Sequence, residues 1–402
     1  MTKSLRAIIL ALLPLAIGFS VAAQSGRAPT PSPTATPSVK PKFTVDRNAD
    51  QYLLVVPTNF DGVFRKGKLF YDWEEYRLAL PSILNSFINE VNAAGNRGYH
   101  LVASRGGYYG LLKLDSVQYE YGWFLSLWKD FEWAYAPQAK RGLHLVNHSL
   151  VDENCYSEGP GHATFCRPTY LSLLERVKGE EQPVEHFLLV SDEKPQVELP
   201  PKITQNVSEG LFPSSVIGGF YLFFEKSERN SAIWIDKPEV KVLANVTRTL
   251  ERQINALARE GYRLALIDQT TAILYRPRQP APTVSYIAVD ARKKDFPERL
   301  AQLQTEGARY VMGYRGHSES GDKIKLIFEQ PAVAEGQRYD YQVLKFDTKE
   351  EPDPMTPNKV VSKLTPESVE AMKQLNRLAT EGFVVRDLFL SDMTSVLLER
   401  KR

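Results

Sequence analysis

INALAREGYRLALI (Ile254–Ile267) and LNRLATEGFVVRDL (Leu375–Leu388) decide how this chain is built. In both, apolar residues at helical spacing run into a glycine, and an apolar strand follows at once. Leu250, Ile254, Leu257 and Ala258 fall at i, i+4, i+7 and i+8, which places them on one helix face. Met372, Leu375, Leu378 and Ala379, at i, i+3, i+6 and i+7, likewise share one face. The glycine sits just past the last turn, where a left-handed residue ends many helices and a Cβ would clash. The residue before it (Arg97, Arg141, Glu260, Glu306 or Glu381 in different copies) reads as a solvent-exposed helix end.

A third clear copy is INEVNAAGNRGYHLV (Ile88–Val102), and fainter ones centre on AKRGLHLV, VSEGLF and QTEGARYVMG. The expected helix-stop glycines are therefore Gly98, Gly142, Gly210, Gly261, Gly307 and Gly382. A shared element recurring at roughly 45–75 residues signals an array of small units.

Each copy also carries strands. A first strand precedes the helix at Tyr52–Pro57, Tyr119–Leu125, Val184–Val190, Val284–Val289 and Tyr339–Phe346, all rich in Val, Ile and Tyr. In the fourth copy Ala232–Ile235 and Val240–Leu243 compete for that role. After the glycine comes a second strand, then a turn and a third: Leu111–Leu114, Leu171–Leu174, Tyr221–Phe224, Ala272–Tyr275, Ile324–Phe328 and Ser395–Leu398. Several third strands close on charged tails, as in LLERV, FFEKS, LYRPR and LLERK. The expected fold is α+β, built of tandem strand–helix–strand–strand modules whose sheets are covered by helices on one face and packed in pairs or in a row. One such unit is too small to hold a core alone, so neighbours must share. Pro137 is expected to kink or split the second helix, and the third helix, around Pro200–Gly210, to be short. The acidic run Asp347–Asp353 reads as a flexible loop.

The boundaries that follow are 1–23 for a signal peptide, 24–42 for a Pro/Ser/Thr-rich tether, and modules at 43–116, 117–180, 181–229, 230–280, 281–332 and 333–402. The second module carries a disulfide loop and the third is degenerate.

The run of Leu/Ile-Asn-x-Leu/Val, Glu-Gly, an aromatic and Leu/Val resembles a small bacterial strand–helix–strand–strand domain of unknown function, whose helix typically ends on Glu-Gly-Trp-Glu-Leu. The matching residues are Ile254-Asn255-Ala256-Leu257 with Glu260-Gly261-Tyr262-Arg263-Leu264, and Leu375-Asn376-Arg377-Leu378 with Glu381-Gly382-Phe383-Val384-Val385. The first copy keeps Ile88-Asn89-Glu90-Val91 but ends Arg97-Gly98-Tyr99-His100-Leu101. Tyr or Phe replaces the usual Trp throughout, and the third and fifth copies lose part of the pattern. The resemblance covers about half of the chain beyond its leader. It implies a fold and lends no reaction.

Lys3 and Arg6 precede the apolar Ala7–Ile17, and Val21-Ala22-Ala23 supplies small residues for a signal peptidase, so cleavage is expected after Ala23 and the product is secreted or periplasmic. Read as a membrane anchor instead, Ala7–Ala23 is at the short end of the spanning range and is interrupted by Pro14 and Gly18. The chain has 50 basic and 48 acidic residues; losing Lys3 and Arg6 leaves equal numbers, which gives no footprint for nucleic acid.

The densest constellation is 144–166, with His144, His148 and His162 beside Cys155 and Cys166. Imidazole and thiolate suit zinc or copper. Against that, His144 occupies the column held by His100, Arg263 and Arg309 in sister copies, an outward-facing strand position, and the two cysteines of an exported chain are most simply a disulfide. No metal and no cofactor is therefore expected. Ser191-Asp192-Glu193-Lys194 lacks the partners of a Ser-x-x-Lys enzyme, Gly106–Gly110 reads as a hairpin turn, and Gly316-His317-Ser318-Glu319 as a solvated turn. Rings are plentiful (19 Tyr, 19 Phe, 5 Trp), densest over Tyr119–Tyr135, and serve either core packing or a platform for a sugar or protein. The leading expectation is a non-enzymatic exported protein that binds a protein or cell-envelope component. The alternative is a metal-dependent or hydrolytic envelope enzyme acting through 144–166.

Overall fold

Gly261 has φ +92° directly after the helix that Leu250, Ile254 and Ala258 bury, and Tyr262 turns at once into the core. The same left-handed turn recurs at Gly98, Gly142, Gly210, Gly307 and Gly382, with φ between +71° and +90°. Helix, stop and strand are thus one continuous local event. The computed structural model describes residues 49–56, 73–105, 109–115, 117–157, 164–190, 195–217, 221–226, 233–234, 238–244, 249–267, 271–279, 282–316, 323–332, 336–353, 356–390 and 394–402.

The elements run β1 (Tyr52–Val55), α1 (Trp73–Asn96), β2 (Tyr99–Arg105), β3 (Tyr109–Leu114), then β4 (Tyr119–Ser126), α2 (Phe131–Ala139), β5 (His144–Ser157), β6 (Thr164–Val177). Next come β7 (His186–Val190), α3 (Pro195–Ser208), β8 (Phe212–Ile217), β9 (Tyr221–Glu225), and β10 (Glu239–Leu243), α4 (Leu250–Arg259), β11 (Arg263–Ile267), β12 (Ala272–Arg276). The rest is β13 (Val284–Asp290), α5 (Phe296–Thr305), β14 (Arg309–Gly316), β15 (Lys323–Pro331), β16 (Tyr339–Phe346), β17 (Thr348–Asp353), β18 (Thr356–Leu364), α6 (Pro366–Thr380), β19 (Val384–Leu390) and β20 (Thr394–Lys401). The fold is α+β. Three-stranded antiparallel sheets form in the orders β1-β3-β2, β4-β6-β5, β7-β9-β8, β10-β12-β11, β13-β15-β14 and β16-β20-β19, here called sheets 1 to 6; β17 and β18 form a separate ribbon. In every sheet the last strand in sequence lies in the middle.

That middle position explains its composition. Leu111-Leu112, Leu173-Leu174, Phe223-Phe224, Ile273-Leu274, Ile327-Phe328 and Leu397-Leu398 are neighbours in sequence, so they point to opposite faces. Each pair is split between two different apolar cores. Leu397 packs with Phe296, Leu300 and Leu303 of α5, while Leu398 packs with Leu375 and Leu378 of α6. The sheets are therefore covered on both faces, not one. The physical reason is legible in the apolar doublets, which mark strands buried on two sides.

Each helix covers its own sheet and the next. The core of α1 takes Leu101 from sheet 1 and Tyr121, Leu171 and Leu173 from sheet 2. The helices α2, α3, α4 and α5 bridge sheets 2–3, 3–4, 4–5 and 5–6 in the same way. The α6 core joins sheet 6 to Tyr52 and Leu111 of sheet 1. The chain of contacts thus closes on itself, in neither pairs nor an open row.

Other expectations need correction. Helix α2 runs unbroken through Pro137. Helix α3 is 14 residues long despite Pro200 and Pro201, because Pro195, Leu199, Ile203 and Val207 bury one face at four-residue spacing. The first strand of the fourth sheet is Glu239–Leu243; in the competing stretch Ile233 and Trp234 are helical, and Trp234 is buried. The acidic run is strand β17, paired with β18 over Thr348–Leu364, and not a loop. Helix α6 then starts on Thr365, whose hydroxyl caps the Ser368 amide, with Pro366 at its first turn.

Candidate functional site

The described polar chemistry concentrates where one sheet meets the next, and it begins with a bulge. In every second strand the register slips near its start, at Leu101/Ala103, Leu145/Asn147, Pro213/Ser215, Leu264/Leu266, Tyr310/Met312 and Val385/Asp387, and β5 slips again at Leu150/Asp152. A bulge turns an amide away from its own ladder. The Leu101 amide donates to the Tyr121 hydroxyl at 2.8 Å, that of Leu264 to Tyr286 at 2.9 Å, and that of Tyr310 to Tyr341 at 2.9 Å. The Val385 amide reaches Tyr52 at 3.4 Å. Each of those tyrosines belongs to the first strand of the following sheet.

The same tyrosines are gripped through their main chain. Asn92 of α1 donates to the Tyr121 carbonyl at 3.1 Å and accepts from its amide at 2.7 Å. Asn255 of α4 does this to Tyr286 at 2.8 and 2.7 Å, and Asn376 of α6 to Tyr52 at 3.2 and 2.8 Å. A side-chain amide here stands in for a neighbouring strand and satisfies an edge that has none. Gln304 takes the role in α5, donating to Asp340 at 2.9 Å and accepting from the Tyr341 amide at 3.3 Å. In the first copy the working residue is Asn92, six before Gly98 as Asn255 is before Gly261; Asn89, the residue matched by sequence, is exposed.

Opposite Tyr121, Tyr286 and Tyr341 the middle strand carries Glu175, Glu329 and Glu399, with Glu225 in the same column; Tyr52 faces Lys113 instead. The tails LLERV, FFEKS and LLERK thus hold buried carboxylates. Glu225 and Glu399 are 2% and 1% exposed. A buried carboxylate must collect donors. Glu399 takes the Tyr341 hydroxyl and the Tyr310 amide, both at 3.1 Å, and Arg386 at 2.6 Å. Glu329 lies between Arg309 at 3.3 Å and Arg263 at 3.8 Å, with the Tyr286 hydroxyl at 3.1 Å. Glu175 receives His100 Nε2 at 3.0 Å, and the His100 ring stacks on Tyr119 with centroids 4.7 Å apart. Burial, then the Glu175 charge, push the Tyr121 phenol far above its ordinary value; Tyr341 is raised likewise by burial and Glu399. These hydroxyls stay protonated and donate.

The sheet 2–3 join is built differently. His186 stands where sheets 2, 5 and 6 have Tyr121, Tyr286 and Tyr341, and the phenol comes from Tyr135 on α2; sheet 4 has Val240 at that position. Tyr135 Oη lies 2.5 Å from Glu225 Oε1, and the Leu145 amide donates to the same oxygen at 3.2 Å. His144 Nδ1 is 3.3 Å from Glu225 Oε2. His186 Nε2 meets Glu132 Oε1 of α2 at 2.9 Å, and its ring lies edge-on to Tyr135. The Glu132 hydrogen bond outweighs desolvation and raises the His186 pKa. The column of His100, His144 and Arg263 is therefore not simply outward-facing. Each reaches the glutamate of the next sheet.

Of the three histidines weighed as metal ligands, the two described ones have separate surroundings, His144 beside Glu225 and His148 beside Ser172. His148 Nδ1 bonds the Ser172 hydroxyl at 2.9 Å, its ring stacks on Tyr170 at 4.8 Å, and Phe131 meets it edge-on. Burial pushes its pKa down to about 3, so it is a neutral core residue. His162 lies outside the described residues, as do 191–194, 106–108 and 317–319 of the other motifs. Among the described residues no group of three His, Cys, Asp or Glu side chains is placed to hold a metal ion. Cys155 and Cys166 face each other as register partners across β5 and β6. Of the Tyr119–Tyr135 rings, Tyr119, Tyr121, Phe124, Phe131 and Tyr135 are buried, whereas Trp133 is 83% exposed.

Comparison of the chain with protein-family models, with curated proteins and with solved structures gave no match. No described helix is long and apolar enough to cross a membrane.

Proposed function

We propose that the chain is an exported, non-enzymatic scaffold: six degenerate copies of the strand–helix–strand–strand domain, closed into a ring, that binds a protein or another component of the cell envelope. The observation that carries this reading is the closure. Every helix serves two sheets, and the last helix reaches the first strand through Asn376 and Tyr52. The carboxylates buried at the joins are already engaged by tyrosine, histidine, arginine or backbone donors, which suits holding copies together rather than transforming a substrate. The leader at 1–23 and the proline-rich 24–42 would deliver the ring and tether it. Trp133, on the outer face of α2, is the most exposed large ring among the described residues and is available to a partner.

The test is made in cells with the full chain carrying a photo-crosslinking residue at position 133. The reading expects a mature N-terminus at Gln24 and a discrete adduct with one envelope component, both lost from the cytosolic fraction. A catalysed turnover by the purified protein that Glu225→Gln abolishes while the fold persists would overturn it.

A further inference from the structure

The joins divide by their basic partners. Between sheets 4 and 5 and between 5 and 6 the carboxylates meet Arg263, Arg309 and Arg386, which hold their charge at any ordinary pH. Between sheets 1 and 2 and between 2 and 3 they meet imidazoles: His100 on Glu175, His144 on Glu225, and His186 on Glu132. Half of the chain's six histidines hold these two joins. We infer that the join between sheets 2 and 3 is a pH-responsive element, clamped when His186 is protonated against Glu132 and loosened as it loses its proton, while the arginine joins stay shut.

The surroundings of His186 favour its charged form. His186 faces Glu132 and Tyr135 from α2 and Glu225 from β9; His144 lies beyond that carboxylate on β5, and the neighbouring Glu185 is paired with Lys226 at 3.0 Å. His144 has Glu225 ahead of it and Glu175 as its strand partner. His100 faces Glu175 and the Tyr119 ring, with Lys113 as its strand partner. The sign follows from the raised His186 pKa: the contact is complete below the ordinary histidine value near 6.5 and is lost as pH rises through the higher folded value. An exported protein meets such changes directly.

The test is native hydrogen exchange on the intact chain at about pH 6 and about pH 8.5, corrected for intrinsic rates. Protection of Leu143–Leu145 and His186–Val190 should fall on the alkaline side, by up to about tenfold for each unit by which folding raises the pKa. Protection around Leu264 and Tyr310 should hold. His186→Gln should remove the difference; Glu132→Gln, which keeps the imidazole, should move the transition toward the ordinary histidine range. Equal losses at the sheet 2–3 join and at the arginine joins, or no loss at either, would overturn the inference.

Discussion

Replacing Asn376 by alanine asks whether the ring is shut. Asn376 holds both the amide and the carbonyl of Tyr52, a residue 324 positions away and 2% exposed. A typical hydrogen bond contributes about 1 kcal/mol net, and a buried group left without a partner costs about 1–3 kcal/mol. Two orphaned main-chain groups therefore predict a loss of about 2–4 kcal/mol for Asn376→Ala. Asn255→Ala removes the matching pair of bonds to Tyr286 at a join between consecutive sheets, and is the internal standard. Urea unfolding followed by circular dichroism should show similar drops for the two variants. Asn376→Asp keeps an acceptor for the Tyr52 amide but sets a charge against its carbonyl, so it should be no better than alanine at neutral pH and should recover on protonation. An Asn376→Ala protein as stable as wild type, alongside a weakened Asn255→Ala, would show that sheets 6 and 1 do not hold each other, and the closed ring would be wrong.

Gly261→Ala should cost about 1–2 kcal/mol from backbone strain alone, since nothing lies within 4 Å of the added Cβ; Gly142→Ala should cost more, because its Cβ would sit 2.9 Å from the Gln182 carbonyl oxygen. Equal midpoints in denaturant melts would contradict that ranking. Cys155 and Cys166, directly opposed across an antiparallel pair, are at a spacing a disulfide accepts, so non-reducing peptide mapping of exported material should recover one bridged peptide; two free thiols would refute it. A circular permutant opened between β15 and β16, with Arg402 joined to Asp50 by a linker the length of Lys178–Glu185, should fold and keep the oligomeric state of the parent chain. Its aggregation would mean that the chain ends do not face each other as the β6–β7 ends do.

Local events were legible in the sequence; partners across the molecule were not. The helix-stop glycines and most strands could be placed because each rests on a few neighbouring residues. The apolar doublets at Leu111-Leu112 or Phe223-Phe224 also announced that both faces of each sheet are buried, a signal a one-face reading overlooks. Asn89 was matched in place of Asn92 because Ile88-Asn89-Glu90-Val91 fits Leu/Ile-Asn-x-Leu/Val and Val91-Asn92-Ala93-Ala94 does not, although Asn92 has the right distance to the glycine. The column of His100, His144 and Arg263 was visible as a column, yet its purpose lies in glutamates on the next sheet, 66 to 81 positions away. A Glu-Arg or Glu-Lys tail at a strand end normally means solvent, and the sequence holds no mark that its glutamate turns inward. Prolines in α3 misled for the opposite reason: four-residue apolar spacing outweighs two missing donors whose carbonyl partners, on Gln196 and Val197, belong to exposed residues.

Closure follows from a count of faces. Six sheets with two apolar faces each present twelve faces to be covered, and every helix, wedged between its own sheet and the next, covers two. In an open row one face of the first sheet would stay bare, and the last helix would show an apolar side to water. Solenoids meet this with dedicated polar caps. Nothing of the sort is needed where α6 lies against Tyr52 and Leu111, because the two bare surfaces cover each other. The one-helix-per-sheet pattern read from the glycines, taken with doublets that demand two covered faces, is satisfied without caps only by a cycle. The Asn376–Tyr52 clamp is then the place where the whole arrangement stands or fails.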